Sequence, residues 1–275
     1  MTGSSETPSL PGPEPVQRVR VQHLREMMKR GEKITALTAS STDTARIFDA
    51  AGVDLLYVSE TLAASQLGYS TVLSLNLNHM VEATSAVTRG TTRAFIVADL
   101  PFGSYESSPT QAIASAVQLV RAGADAVAVS AATPTIRAIT QAGMNVMARI
   151  GYVPQHDAVL GGPRVVGRRE REAEALVDMA GEAEEAGVFA VLLDMVPAKL
   201  AGKITEILHV PTIGLGAGPH TDGQVLEWTD VAGISQQHPG YARAFGDVTG
   251  ALRAAVDSYR SAVTEERFPG PEQSA

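Results

Sequence analysis

Phe95-Ile96-Val97-Ala98 runs into Asp99, and Leu100-Pro101 then breaks the run. The phrase recurs. Leu55-Leu56-Tyr57-Val58-Ser59 runs into Glu60, and Val191-Leu192-Leu193 runs into Asp194 before Met195-Val196-Pro197. A short apolar run rich in β-branched residues is the pattern of a strand buried on both faces of a parallel sheet. One acid after such a strand could be an accident, whereas several in series gather carboxylates at one rim. In a parallel barrel the active site is built at the C-terminal ends of the strands. The placement predicts an enzyme that handles a hard cation and an anionic substrate.

Working outward from these runs, strands are predicted at residues 34–38, 55–58, 94–98, 126–129, 146–150, 190–193 and 212–214, with a short eighth at 231–234. Helical patterns fill the intervals at 43–51, 79–89, 109–122, 134–141, 171–186 and 198–208. A first helix is predicted over residues 21–30 and a long closing one over 241–263. Gly52, Gly123, Gly143 and Gly187 each follow an alanine at the end of a helical pattern and precede a strand. That is the usual place of a C-terminal glycine cap and the rhythm of βα units. The strand count, and the absence of a GxGxxG after the first strand, predict a single (β/α)8 TIM barrel rather than a dinucleotide-binding sheet. Residues 18–266 form this barrel in the prediction, between a disordered leader (1–17) and a flexible tail (267–275). Two long connections, 61–78 and 151–169, are candidate active-site loops, the second with Gly161-Gly162-Pro163 as a hinge.

Composition narrows the class of function. The chain has 275 residues, 44% of them hydrophobic, enough for one sizeable core. A net charge of −8 without a basic stripe argues against nucleic acid and membrane surfaces as partners. No cysteine is present, which removes thiolate nucleophiles and Cys-ligated metals and fits a reducing cytoplasm. No apolar run approaches the roughly 20 residues that a membrane helix needs.

Several segments taken together resemble a known family. They are Thr44-Ala-Arg-Ile-Phe-Asp49, Val97-Ala-Asp-Leu-Pro-Phe-Gly-Ser-Tyr105, Gly151-Tyr-Val-Pro-Gln155 with Leu160-Gly-Gly162, Met195-Val-Pro197, and Ile213-Gly-Leu-Gly-Ala-Gly218 with Asp222-Gly-Gln224. In this order they resemble the ketopantoate hydroxymethyltransferases, of the phosphoenolpyruvate mutase/isocitrate lyase superfamily, over residues 21–269. The resemblance implies a magnesium ion that chelates a 2-oxo acid and stabilises its enolate. The enolate then attacks a one-carbon unit from methylenetetrahydrofolate, and ketopantoate is the product. It also implies a homo-oligomer, the family being similar to decameric assemblies.

The site carries over unevenly. The family's Val-Gly-Asp-Ser reads Val58-Ser59-Glu60-Thr61, so Glu60 replaces the metal-contacting Asp, and Asp99 is retained as the second metal acid. Its Lys-x-Glu reads Ala128-Val129-Ser130, its His before Ile-Gly is Arg149, and its Glu-x-Val-Pro acid is the shorter Asp194. The early Thr-Ala-Tyr-Asp-Tyr reads Thr38-Ala39-Ser40-Ser41-Thr42. The edits concentrate at the rim while the scaffold phrases persist, which reads as a retuned site. On this reading Glu60 and Asp99 are the metal candidates. Thr61, Ser130, Asp99 and Arg149 are the substrate contacts, and Asp194, Arg149 and His156 are the catalytic candidates. Arg149 cannot be a general base at neutral pH. It either clamps a carboxylate or pairs with Asp99 or Asp194. His156, in the second long connection, either is solvated or replaces a lost base when that loop closes. Besides hydroxymethyl transfer, the changed rim leaves open another carbon–carbon lyase or isomerase on the same barrel, or a non-catalytic scaffold paralogue.

Overall fold

Eight parallel strands close on one another in chain order. They are β1 (Ile34–Thr38), β2 (Leu55–Val58), β3 (Phe95–Asp99), β4 (Ala126–Val129), β5 (Asn145–Gly151), β6 (Ala190–Asp194), β7 (Thr212–Leu215) and β8 (Gly223–Leu226). This computed structural model describes residues 17–130, 132–235 and 238–274, so the predicted leader lies outside the described residues apart from Gln17. Alternation along the strands divides the core in two. Ile34, Leu55, Tyr57, Val97, Met147, Leu192 and Val225 pack inside the barrel, with Leu24 of the first helix, Val21–Arg30, in the same cluster. Leu56, Ile96, Val127, Val146 and Val191 face outward onto the helices, against Met80, Leu119, Ile139 and Ile204. The barrel is therefore filled by side chains, and chemistry is confined to its rim.

The acids divide in the same way. Asp54, Asp125 and Asp222 each sit just before a strand. Their carboxylates accept the backbone N–H of Thr35 (3.1 Å), Ile96 (2.9 Å) and Thr212 (2.8 Å), each on the preceding strand in the barrel. These carboxylates fasten the N-terminal ends of the strands and are structural. Glu60, Asp99 and Asp194 stand at the opposite, C-terminal ends.

Two predicted elements move. The eighth strand is Gly223–Leu226, which pairs with Ile213 and Gly214 on one side and with Ile34 to Leu37 on the other. Of residues 231–234, predicted as that strand, Val231 ends a helical turn, Trp228–Val231, and the rest pass through Gly233 at φ 72°. Val-Ala-Gly-Ile looks more strand-like than Gly-Gln-Val-Leu, but only the latter can close the barrel. The closing helix begins at Val248 rather than near 241 and runs to Thr264, because the Asp247 carboxylate caps it by accepting from Gly250 N at 2.8 Å. Residues 241–247 are irregular, and Tyr241 lies across Gly216, where any Cβ would meet its ring. The predicted tail carries a short 3-10 turn, Pro271–Gln273.

Candidate active site

β5 delivers one guanidinium into the middle of the acidic rim. Arg149 points inward one step above Met147 and is 5% exposed. Its Nε and Nη2 donate to Asp194 Oδ2 at 3.0 and 2.6 Å. Its Nη1 donates to Glu60 Oε1 at 3.2 Å and lies 3.9 Å from Asp99 Oδ2. Ala128, on the strand between β3 and β5, is fully buried and leaves room for this reach.

The backbone aims each acid. Asp194 ends β6, where its carbonyl accepts from Tyr152 N (2.8 Å) and the next residue, Met195, donates to Leu215 O (2.8 Å). Met195 is held at φ 47°, a left-handed conformation costly for a side-chain-bearing residue. Gly151 opposite has φ 107°, and a Cβ there would strike the Asp194 carbonyl oxygen. The crossing of β5 and β6 is thus locked around the Arg149–Asp194 pair. Asp99 accepts from the Tyr57 hydroxyl and, at 2.8 Å, from Glu60 N. Glu60 Oε2 accepts from Gln155 Nε2 at 2.8 Å, and Gln155 in turn accepts from the Tyr105 hydroxyl at 2.5 Å. Gln155 belongs to the second predicted loop and ties that loop down over the cluster.

Burial governs the electrostatics. It pushes the Glu60 carboxyl up to about 7, the neighbouring Asp99 charge adding to the rise and Arg149 opposing it. Burial also raises Asp99 and Asp194, again against Arg149. Burial alone would lower the Arg149 pKa, but Asp194, Tyr57, Asp99 and Glu60 outweigh it and hold the guanidinium charged.

Beside this cluster lies a fourth acid, absent from the sequence-based expectations. Glu227, just beyond β8, accepts from Thr38 Oγ1 (2.8 Å) and Thr61 Oγ1 (2.7 Å), and burial raises its pKa. Glu227 lines a cavity of about 50 Å³ together with Thr38, Tyr57, Ser59, Thr61 and Asp230, among others, and none of Arg149, Glu60, Asp99 and Asp194 lines it. That is room for a water or two in the described state. Ser130 and His156 share the lining of one groove with Arg149, and no described hydrogen bond joins either side chain to Glu60, Asp99 or Asp194. The groove, of about 570 Å³, lies between the helices Thr133–Gln141 and Glu170–Glu185, and His156 is exposed. A cavity of about 690 Å³ opens at the far, N-terminal end of the barrel beside the first helix, away from the acid rim. Tyr57, Tyr105 and Gln155 were missed as well, since nothing in their types marks them. Glu227 did carry a signal, since it follows a strand as the other acids do.

The family model for ketopantoate hydroxymethyltransferase matches residues 18–271. The chain belongs to that family. It is 45% identical over 275 residues to the 3-methyl-2-oxobutanoate hydroxymethyltransferase of Leifsonia xyli subsp. xyli, covering 98% of each chain. It is 44% identical to the enzyme of the same name from Thermobifida fusca, covering 100% of this chain and 99% of that one. Among solved structures, a 2,3-dimethylmalate lyase shares the fold with a TM-score of 0.57 at 17% identity, covering 92% of this chain and 90% of that one. A phosphonopyruvate hydrolase complexed with oxalate and Mg++ gives the same TM-score and identity, at 90% and 87% coverage.

As a ketopantoate hydroxymethyltransferase family member the chain is an enzyme-type barrel, and its rim is where a divalent cation would be sought. The donors present do not fit one. Glu60 spends its two oxygens on Arg149 and Gln155, and Asp99 spends its own on Tyr57 and the Glu60 amide. A guanidinium stands between them and Asp194. Among the described residues no three His, Asp or Glu side chains converge in a geometry able to hold a metal.

Proposed function

We propose that the chain catalyses hydroxymethyl transfer to a 2-oxo acid, 3-methyl-2-oxobutanoate, from methylenetetrahydrofolate, to give ketopantoate. Family membership supports the reaction class. The observation that carries the chemistry is a fixed guanidinium sharing a buried wall with a carboxylate. Arg149 has five N–H donors and spends three, on Asp194 and Glu60. The other two can receive the substrate's carboxylate or keto oxygen. Asp194 accepts both of its Arg149 bonds at Oδ2, and no described hydrogen bond reaches Oδ1. In the proposed step the C3–H bond breaks, its proton passes to Asp194 Oδ1, and the electron pair moves onto the keto oxygen against Arg149. The enolate carbon then bonds to the one-carbon unit. That carbon gives up both folate nitrogens, one for the new C–C bond and one for the hydroxyl of water. The two nitrogens take the proton from C3 and the proton from water.

The side chains of Arg149, Glu60, Asp99 and Asp194 are at most 5% exposed, so a five-carbon acid reaches them only when the connection that carries Gln155 lifts. Gly161 and Gly162, at φ 77° and 106°, provide its turning point. The test is deuterium exchange at C3 of 3-methyl-2-oxobutanoate in deuterated water. The chain is expected to accelerate it; no acceleration, with or without added divalent ions, rejects the reading. A chain without cysteine needs no oxidising compartment, and the cytoplasm is the proposed location.

The assembly proposed with this function is a homo-oligomer. None of the residues of helix Val248–Thr264 is buried. Val248, Leu252, Val256, Tyr259 and Val263 recur at helical spacing and expose 43–63% of their surface. An uncovered apolar stripe of this kind marks a contact surface. Light scattering is expected to show a multimer and Leu252→Glu with Tyr259→Glu to shift it toward the monomer. A monomeric parent chain would contradict the proposal.

A further inference from the structure

We infer that Arg149 is the resident cation of this active site, standing where a divalent metal would stand and excluding it. The inference rests on the proposed function for what the cation does, but its geometry is independent of that reading. Three carboxylates end on one guanidinium. Asp194 takes two donors on one edge, Glu60 takes one on the other, and Asp99 lies 3.9 Å beyond Nη1. All four side chains are at most 5% exposed, so water contributes little to neutralising them. The guanidinium is therefore the counter-charge of the cluster and not a surface pair that drifts open.

A divalent ion entering the cluster would meet three obstacles. It would have to displace a guanidinium anchored by three N–H bonds, or sit beside it as a like charge. It would have to take oxygens that already accept from Tyr57, Gln155 and the Glu60 amide. It would also have to shed its waters, which a small divalent ion does reluctantly, among side chains that are at most 5% exposed. A guanidinium meets none of these. It presents planar N–H donors to a 2-oxo acid in the geometry that carboxylates and enolates accept. The charge that polarises the keto group thus belongs to the chain and is present at every metal concentration.

The test uses manganese as the probe and the electron paramagnetic resonance signal of the free ion as the readout, with no substrate. The full chain is expected to leave that signal at its buffer value through millimolar protein. Arg149→Ala frees three carboxylates and is expected to bind manganese at least about tenfold more tightly than the parent. Adding Asp99→Asn to Arg149→Ala should abolish that binding. Two results would overturn the inference. One is a parent chain that takes up manganese and loses it on Asp99→Asn. The other is an Arg149→Ala chain that is folded by circular dichroism yet binds none. If Arg149→Ala does not fold, the parent measurement with its Asp99→Asn control still decides. Because no turnover is involved, a chain that fails to exchange deuterium would reject the proposed function and leave this result standing.

Discussion

Arg149→Met is expected to lower the free energy of unfolding by about 3–5 kcal/mol. The substitution keeps an unbranched side chain of similar reach and removes only the charged fork. Three carboxylates then lose the one cation that the described residues place among them, with Asp194 and Glu60 also losing hydrogen bonds of 2.6–3.2 Å. Acids already raised by burial would take up protons to survive there, so the loss should be smaller at pH 5 than at pH 8. Arg149→Lys retains the charge but not the two-sided fork and should fall between the two chains. Urea unfolding at constant slope measures all three. In the double variant Arg149→Met with Asp194→Asn, the losses should sum to less than their separate values, because each removes the same pair. A single-variant loss under about 0.5 kcal/mol would mean that the cluster does not depend on Arg149.

Asp194→Asn is expected to slow C3 exchange by about a hundred- to ten-thousand-fold, the range lost with a positioned general base. Asparagine is nearly isosteric, and its oxygen can still accept from the Arg149 fork, so the chain should keep most of its stability and substrate affinity. It cannot accept the substrate proton. The effect should therefore fall on kcat, with KM changed far less. Asp194→Glu restores the carboxyl with one more methylene and should recover part of the rate. If Asp194→Asn exchanges as fast as the parent, the base lies elsewhere in the cluster, and Glu60, whose pKa lies near neutrality, is the next residue to replace.

The barrel was legible in the sequence because continuous β-branched runs and Ala-Gly helix ends leave few alternatives. Seven strands fall where those runs lie. The eighth was misplaced because β8 is short and only alternately buried, so its pairing with β1 and β7 rather than its own apolarity defines it. That error hid Glu227, which obeys the rule that found Glu60, Asp99 and Asp194. A structural pair of Arg149 with Asp99 or Asp194 was legible; the structure bonds it to Asp194 and also to Glu60, with Asp99 3.9 Å away. Tyr57 and Gln155 could not have been read from their neighbourhoods. Their roles come from a barrel interior and a loop that bring residues 57, 99 and 155 to one point. Ser130 and His156, singled out by their places at the end of β4 and in the loop after β5, line a groove that Arg149 also lines.

Hydroxymethyl transfer at this rim is expected to draw its cation from Arg149. Its most direct test is product formation from 3-methyl-2-oxobutanoate and methylenetetrahydrofolate in chelator-treated buffer, followed by mass spectrometry. A 2-oxo acid heavier by one CH2O unit is expected, formed at a rate that added magnesium does not change. Product that forms only after magnesium is restored, or no product under either condition, would contradict it.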